Sequence, residues 1–168
     1  MGGLARADKR DLERFIRKWE NAFEKFPDAR RDAVRTMGET VKRDLDANIR
    51  SADLRTDAKA AVISWQDFVT GSRGGYAAVA PGKGTASGRT WRGKVLSRRQ
   101  VTRFLEKGHG VRLPGGRSMV WNRSGKSRIG QGGSWYVPGR MFYSWTKLRA
   151  QQHALAAAEA LLKKIVGG

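Results

Sequence analysis

The positive charge of this chain is concentrated in its middle. The 168 residues include 34 Lys and Arg against 15 Asp and Glu, which gives a formal net charge of +19. Residues 71–140 hold 15 of the positive side chains and one acid, Glu106, whereas residues 1–70 hold 15 positive and 13 negative side chains. A block of one sign repels itself, and phosphates, an acidic protein face or small anions normally neutralise it. The alternative is a solvated basic surface that keeps the protein in solution.

Composition narrows the classes of protein to which the chain can belong. It has no Cys, which excludes disulfides, thiol catalysis and Cys-bound zinc or iron–sulfur clusters. Its 39% of hydrophobic residues is enough for a modest core. No apolar run approaches the roughly 20 residues that cross a bilayer, and residues 1–10 lack an apolar signal segment. We therefore expect a protein without membrane contact, made in a reducing compartment.

Apolar side chains at helical spacing predict three long helices. The first is capped by Asp8 and ends before Pro27, the second begins at Asp28, and the third covers residues 141–166. Their apolar stripes are, in order, Leu12, Phe15, Ile16, Trp19 and Phe23; Val34, Met37, Val41, Leu45 and Ile49; and Met141, Trp145, Leu148, Leu155, Leu162 and Val166.

A hairpin and a short helix are predicted between the long helices. Residues 51–58 are rich in turn formers and read as a linker. β-branched and aromatic residues favour a strand within residues 60–69, followed by a glycine-rich turn and a return strand over residues 76–80. Ser97 and Gln100 form a capping box for a short helix that Gly108 ends.

The remaining middle segments are rich in Gly and Arg. We expect residues 81–96 and 110–133 to be flexible basic loops, with weak strands only at 117–121 and 134–137. The predicted fold is a single α+β domain over residues 1–168, in which helices cover a small antiparallel sheet. The first helix, within residues 1–26, has a second interpretation as a projecting element whose stripe contacts another protein.

Motifs for catalysis are incomplete in this sequence. Glu106 and His109 have the E-x-x-H spacing of metal ligands, but no second pair accompanies them. Residues 124–127 end like a phosphate-binding loop, yet Val120 occupies the position where that loop needs Gly. The middle segment also lacks the paired carboxylates of acid–base catalysis. We therefore predict a protein that is not an enzyme and has no metal site or cofactor.

Basic and aromatic residues alternate in the middle segment. Trp91 and Trp121 lie among dense Arg and Lys, a pattern typical of contact with a polyanion. No zinc finger, basic zipper or clear helix-turn-helix accompanies it, so reading of a base sequence is not predicted. The candidate contacts to DNA or to an acidic partner are Arg89, Arg92, Lys94, Arg112, Arg123, Lys126 and Arg128.

Two motifs flank the glycine-rich stretch before the last helix. The first is Leu105-Glu106-Lys107-Gly108-His109 and the second is Val137-Pro138-Gly139-Arg140-Met141-Phe142. Their order resembles the neck or tail-completion proteins of long-tailed bacteriophages, small head–tail joining components related to minor tail proteins. Trp65-Gln66 and residues 74–79 also resemble this family, and the likeness covers residues 30–165 in patches.

The resemblance implies a structural protein of the virion without catalytic activity. Copies would form a ring, a hexamer or a dodecamer, at the head–tail junction around the DNA channel. Its neighbours would be the connector or head-closure protein and a tail-terminator or tail-tube protein, with non-specific contact to DNA. We assign a structural turn to Glu106, Gly108, His109, Gly139 and Arg140, and subunit contacts to Leu12, Phe15, Trp19, Phe23, Trp145 and Leu148.

Two other interpretations of the sequence stay open. The first is a sequence-independent nucleic-acid-binding protein that acts outside any virion, for which affinity would fall steeply as salt rises. The second is a membrane-active toxin, which would release the contents of liposomes.

Overall fold

The computed structural model of this chain contains helices and short antiparallel strands. The structure describes residues 9–71, 76–91, 94–111, 117–121, 127–131 and 135–167. The helices are α1 (Lys9–Lys25), α2 (Pro27–Ser51), α3 (Thr56–Ser64), α4 (Arg98–Lys107) and α5 (Phe142–Gly167). The strands are β1 (Gln66–Thr70), β2 (Ala77–Pro81), β3 (Thr85–Trp91), β4 (Lys94–Ser97), β5 (Gly108–Val111), β6 (Arg117–Trp121), β7 (Ser127–Gln131) and β8 (Trp135–Pro138). The predicted α+β class is confirmed.

The chain divides into two compact units. Unit 1 combines Met1–Pro81 with Tyr143–Gly168, and unit 2 is the continuous segment Gly82–Phe142. Within the described residues the strands form four two-stranded antiparallel sheets, with the pairs β1–β2, β3–β4, β5–β8 and β6–β7. The grouping of all 168 residues into one domain stays a prediction beside this division.

The break between α1 and α2 falls at Pro27, as predicted. Proline is tolerated in the first turn of a helix because the N–H that it lacks has no partner there. Phe26 takes the capping position of α2, with no side-chain hydrogen bond, so Asp28 lies inside the first turn rather than before it. Asp8, the predicted cap of α1, lies outside the described residues.

Small side chains form the centre of unit 1. Ala29 and Ala33 of α2 and Ala158 of α5 are buried in one cluster with Phe15 and Leu162. Trp19, Phe23, Met37, Leu155 and Ile165 pack against this cluster. Helix α1, for which the sequence left a projecting position open, therefore lies against α2 and α5.

The buried face of α5 differs from the predicted stripe. Its buried residues recur every four positions: Phe142, Thr146, Ala150, Ala154, Ala158 and Leu162. Of the predicted stripe, Leu162 is buried, whereas Met141, Trp145, Leu148 and Val166 are exposed. The prediction followed the large apolar residues, but helices that pack closely select small ones. The predicted stripe of α2 agrees better with the structure, because its residues Leu45 and Ile49 are both fully buried.

Helix α3 occupies the first half of residues 60–69, where the sequence predicted a strand. The prediction of a strand was wrong for this half. The segment Thr56–Ser64 is helical, and strand β1 is confined to Gln66–Thr70. The alanines of this segment are strong helix formers, and Asp57 in the first turn favours the helix dipole. The predicted hairpin is confirmed from Gln66 onward, since β1 pairs with β2 in a register that places Phe68 opposite Val79.

The two segments predicted as loops contain four strands. Strand β3 falls within residues 81–96, and β4 begins there and ends one residue later, at Ser97. Strands β6 and β7 fall within residues 110–133. The prediction of loops was wrong here because ladder hydrogen bonds join backbone groups, so serine- and glycine-rich segments can pair when their registers match. The weak strand predicted at Arg117–Trp121 is confirmed and pairs with β7.

The short helix α4 has the predicted ends. The Ser97 hydroxyl accepts a hydrogen bond from the Gln100 backbone N–H, and the Gln100 side chain accepts one from the Ser97 backbone N–H. Gly108 follows the last turn with a φ of 79°, in the region that favours glycine. Both signals of the sequence are therefore confirmed.

Gly38 provides a test of the packing inside unit 1. A Cβ atom at this position of α2 would overlap the Phe68 ring and lie 2.7 Å from the Ala77 Cβ. Because an extra methyl group would force β1 and β2 to shift, we expect Gly38→Ala to lower the free energy of unfolding by about 1–3 kcal/mol. Chemical denaturation measures this change.

The matched control is Gly167→Ala, where a Cβ would have no neighbour within 4 Å. It should leave the free energy of unfolding within about 0.5 kcal/mol of the unmodified chain. Equal stability of the two variants would contradict the packing described for α2.

Candidate functional site: a glycine junction and an exposed helix face

The end of α4 is joined to the segment before α5 by backbone hydrogen bonds. The last four carbonyl groups of a helix have no partner within it. The Phe104 carbonyl accepts from the Gly108 N–H, the Leu105 carbonyl from Arg140 at 2.7 Å, and the Glu106 carbonyl from Met141 at 3.0 Å. We call residues 105–108 and 139–141 the glycine junction. It satisfies three of the four terminal carbonyl groups of α4.

Glycine is required at position 139 of this junction. A Cβ there would collide with the Glu106 carbonyl oxygen and would lie 2.6 Å from the Gly108 backbone nitrogen. These neighbours are backbone atoms, so no side chain can move aside. Met141 follows with a φ of 53°, an unusual value for a residue other than glycine. The hydrogen bond from its N–H to Glu106 holds this conformation directly before α5.

The structure brings the five predicted turn residues together. Glu106 is buried, with 7% of its surface exposed, and is the one acid in the sequence of unit 2. His109 lies in β5 opposite Val137, and its ring centroid is 5.0 Å from that of Phe104. Glu106 and His109 are separated by the end of the helix, so they do not share a helical face. Among the described residues, no group of three potential metal-binding side chains occurs.

The charge asymmetry of the sequence coincides with the division into units. Unit 2 holds 14 Lys and Arg against one Glu, a net charge of +13, whereas unit 1 holds 20 against 14 acids, a net charge of +6. Lys94 is exposed at the start of β4. Arg89 and Arg128 lie in β3 and β7, and Arg92, Arg112, Arg123 and Lys126 lie outside the described residues.

The predicted subunit contacts fall into two groups. Phe15 is buried in the core of unit 1, Trp19 and Phe23 pack against that core, and Leu12 is half-buried, so the stripe of α1 is used within the chain. Trp145 and Leu148 are 64% and 78% exposed, one turn apart on α5. An exposed Trp next to an exposed Leu is a typical feature of a protein contact.

Polar contacts that the sequence did not predict position α5 in unit 1. The Tyr143 hydroxyl donates to Gln66 Oε1, and Gln66 Nε2 donates to the Val62 carbonyl at 3.0 Å. The Asn48 amide donates to the Thr146 hydroxyl at 2.8 Å. These residues interrupt apolar patterns and carry no sequence signal of their own. They fix the rotation of α5, and therefore the direction in which Trp145 points away from unit 1.

A surface ion pair joins α1 to the C-terminal half of α5. Lys18 Nζ lies 2.6 Å from Glu159 Oε1, and Lys163 lies 3.3 Å from the same oxygen. Hydrogen bonds from Lys18 and Lys163 lower the pKa of Glu159 below its ordinary value. Because the pair is exposed, it orients the helices more than it stabilises them.

The chain matches no protein-family model, no curated protein and no solved structure. Within the described residues, no helix combines the length and the apolar character needed to cross a membrane.

Gly139 provides a test of the glycine junction. We expect Gly139→Ala to lower the free energy of unfolding by about 1–3 kcal/mol, because the new methyl group meets immobile backbone atoms. Hydrogen exchange measures the local effect, and the amide protons of Arg140 and Met141 should lose their protection first. Gly167→Ala serves as the control for glycine replacement. Unchanged protection at both amides in Gly139→Ala would show that the junction is not held by these hydrogen bonds.

Proposed function

We propose that this protein is a structural component of the head–tail junction of a long-tailed bacteriophage. In this proposal, copies of the chain form a ring that joins the connector to the tail around the DNA channel. The protein acts by contacts between proteins, with no catalytic step. Its place would be the virion, after assembly in the bacterial cytoplasm.

The glycine junction carries the proposal. The resemblance to neck and tail-completion proteins rests on two motifs, at residues 105–109 and 137–142, which 27 intervening residues separate. In the structure, backbone hydrogen bonds from Arg140 and Met141 to α4 join the two motifs directly. A pair of motifs that form one local structure is stronger support for a common family than two unrelated patches.

Two further observations support a role in assembly. Trp145 and Leu148 leave an apolar face of α5 exposed, which a second copy or a neighbouring protein of the junction would cover. Unit 2 concentrates positive charge, and a ring multiplies the charge of each copy around its axis. Such a ring would attract the DNA that passes through it.

A phage with a nonsense codon in this gene tests the proposal. We expect DNA-filled heads and separate tails to accumulate in a host that does not suppress the codon, because the two parts cannot join. Electron microscopy of the lysate counts the joined particles. Supplying the intact chain from a plasmid should restore them. Normal numbers of joined, infective particles without the protein would overturn the proposal.

The exposed face of α5 gives a second test, at the level of the purified protein. We expect Trp145→Glu with Leu148→Glu to weaken self-association by more than about tenfold, since buried aromatic anchors dominate protein interfaces. Sedimentation velocity over a range of concentrations measures the change. Both side chains are exposed, so the thermal midpoint of unfolding should stay unchanged.

The matched control is Ala156→Glu with Ala160→Glu, which adds the same charge to exposed positions further along α5. It should retain the self-association of the unmodified chain. Equal association of all three proteins would contradict a subunit contact at Trp145 and Leu148.

The net charge of unit 2 favours a second candidate, a sequence-independent nucleic-acid-binding protein that acts outside a virion. Such a protein would bind DNA as a free chain, and its affinity would fall steeply with salt. Measuring the binding of duplex DNA as salt is raised separates the candidates. Strong binding by the monomer, together with normal particles from the nonsense phage, would favour this second function.

A further inference from the structure

A groove of about 490 Å³ lies in unit 2 beside α4. Its wall on the helix side is formed by Gln100, Arg103, Phe104 and Lys107, and its other wall by residues 108–110 of β5. None of these residues belongs to the predicted DNA contacts.

The charges along the groove have one sign. Arg103 and Lys107 are one turn apart on the exposed face of α4, and both side chains are exposed. Glu106, the one acid in the sequence of unit 2, is buried and is not among the residues that line the groove. Phe104 belongs to one wall and His109 to the other, and their ring centroids are 5.0 Å apart. A ligand of this groove would therefore carry negative charge.

The backbone of β5 restricts the ligand further. Strand β5 pairs with β8, and none of the other described strands pairs with its second edge. Gly108 lies opposite Pro138, which has no N–H, so these two residues do not exchange hydrogen bonds. Pairs alternate along an antiparallel ladder, so His109 exchanges hydrogen bonds with Val137. The N–H and C=O of Gly110 are consequently directed to the edge of β5 away from β8, the edge at which the Gly108 N–H meets the carbonyl of the groove residue Phe104.

These features match an extended peptide better than a phosphate. A peptide offers both donors and acceptors to a strand edge, whereas phosphate oxygens offer no donor to the Gly110 carbonyl. Glycine at positions 108 and 110 leaves room for a second backbone to approach closely. Alternate side chains of an added strand point to the same side, so acidic residues at every second position would meet Arg103 and Lys107.

We propose that this groove binds an extended acidic segment of another protein chain. The segment adds a strand to the edge of β5 away from β8 and places its carboxylates beside Arg103 and Lys107. The proposal goes beyond the function proposed above and does not depend on it, because it names a ligand for unit 2 whichever assembly the protein belongs to.

A labelled peptide of alternating Glu and Val tests the proposal with the full-length chain. Fluorescence anisotropy measures its binding, and three other probes serve for comparison: the Gln–Val peptide, the Glu–Val peptide with methylated backbone nitrogens, and single-stranded oligothymidine. We expect the Glu–Val peptide to bind at least about tenfold more tightly than the first two. Equal binding of the methylated peptide would overturn strand addition, and tighter binding of oligothymidine in competition would overturn the choice of a peptide.

Substitutions then locate the binding site. Arg103→Glu with Lys107→Glu should weaken peptide binding by more than about tenfold, and Arg103→Gln with Lys107→Gln should weaken it by a smaller factor. Lys83→Glu with Lys94→Glu is the control, since both residues are exposed in unit 2 and neither lines the groove. It should change affinity by less than about twofold. Equal losses in the groove variant and the control would overturn the site, because binding would then follow net charge alone.

Because all four substituted side chains are exposed, circular dichroism should show the same helix content in every variant. Failure of this proposal is distinguishable from failure of the proposed function. Peptide binding is measured on the purified chain, whereas the head–tail role is measured by counting joined particles.

Discussion

Close contact between helices through small side chains determines the shape of unit 1. Ala29 and Ala33 of α2 face Ala158 and Leu162 of α5, with Phe15 of α1 completing the cluster. Larger residues at the alanine positions would push α2 and α5 apart, since a packed interior has little room for added methylene groups. The polar contacts of Gln66 with Tyr143 and of Asn48 with Thr146 depend on the same approach of the helices. The outward position of Trp145 and Leu148 follows from the resulting rotation of α5.

The structure of unit 2 depends on backbone hydrogen bonds as well as on buried side chains. Its described buried residues include Ala86, Leu96, Val101 and Phe142. Backbone hydrogen bonds add to this apolar burial, in the capping box at Ser97, in the two-stranded ladders and in the glycine junction. A region with 14 cations and one acid has little apolar material for a core, and its self-repulsion opposes compaction. An anionic neighbour would relieve that repulsion, whether it is DNA in a ring or an acidic segment beside α4.

Local signals in the sequence predicted the local structure well. Pro27, the pair Ser97 and Gln100, and Gly108 each act on the backbone next to them, so their effects could be read without knowing the rest of the fold. The hairpin β1–β2 followed from residue type in the same way. The exposed face of α5 could not be predicted, because the choice between its large and small apolar residues depends on how closely α2 approaches. The strands within the two predicted loops were missed because their pairing is set by partners that residue type does not reveal.

The order of synthesis has a consequence for unit 1. This unit is built from two segments that the whole of unit 2 separates in the sequence. Ala158 and Leu162 therefore reach the core cluster only after unit 2 has been synthesised. Until then, Phe15 and the alanines of α2 lack their contacts with α5, and nascent chains in one polysome expose these apolar surfaces to one another. Completion of α5 is therefore the step that covers these surfaces and protects unit 1 of the newly made protein from association with the wrong chain.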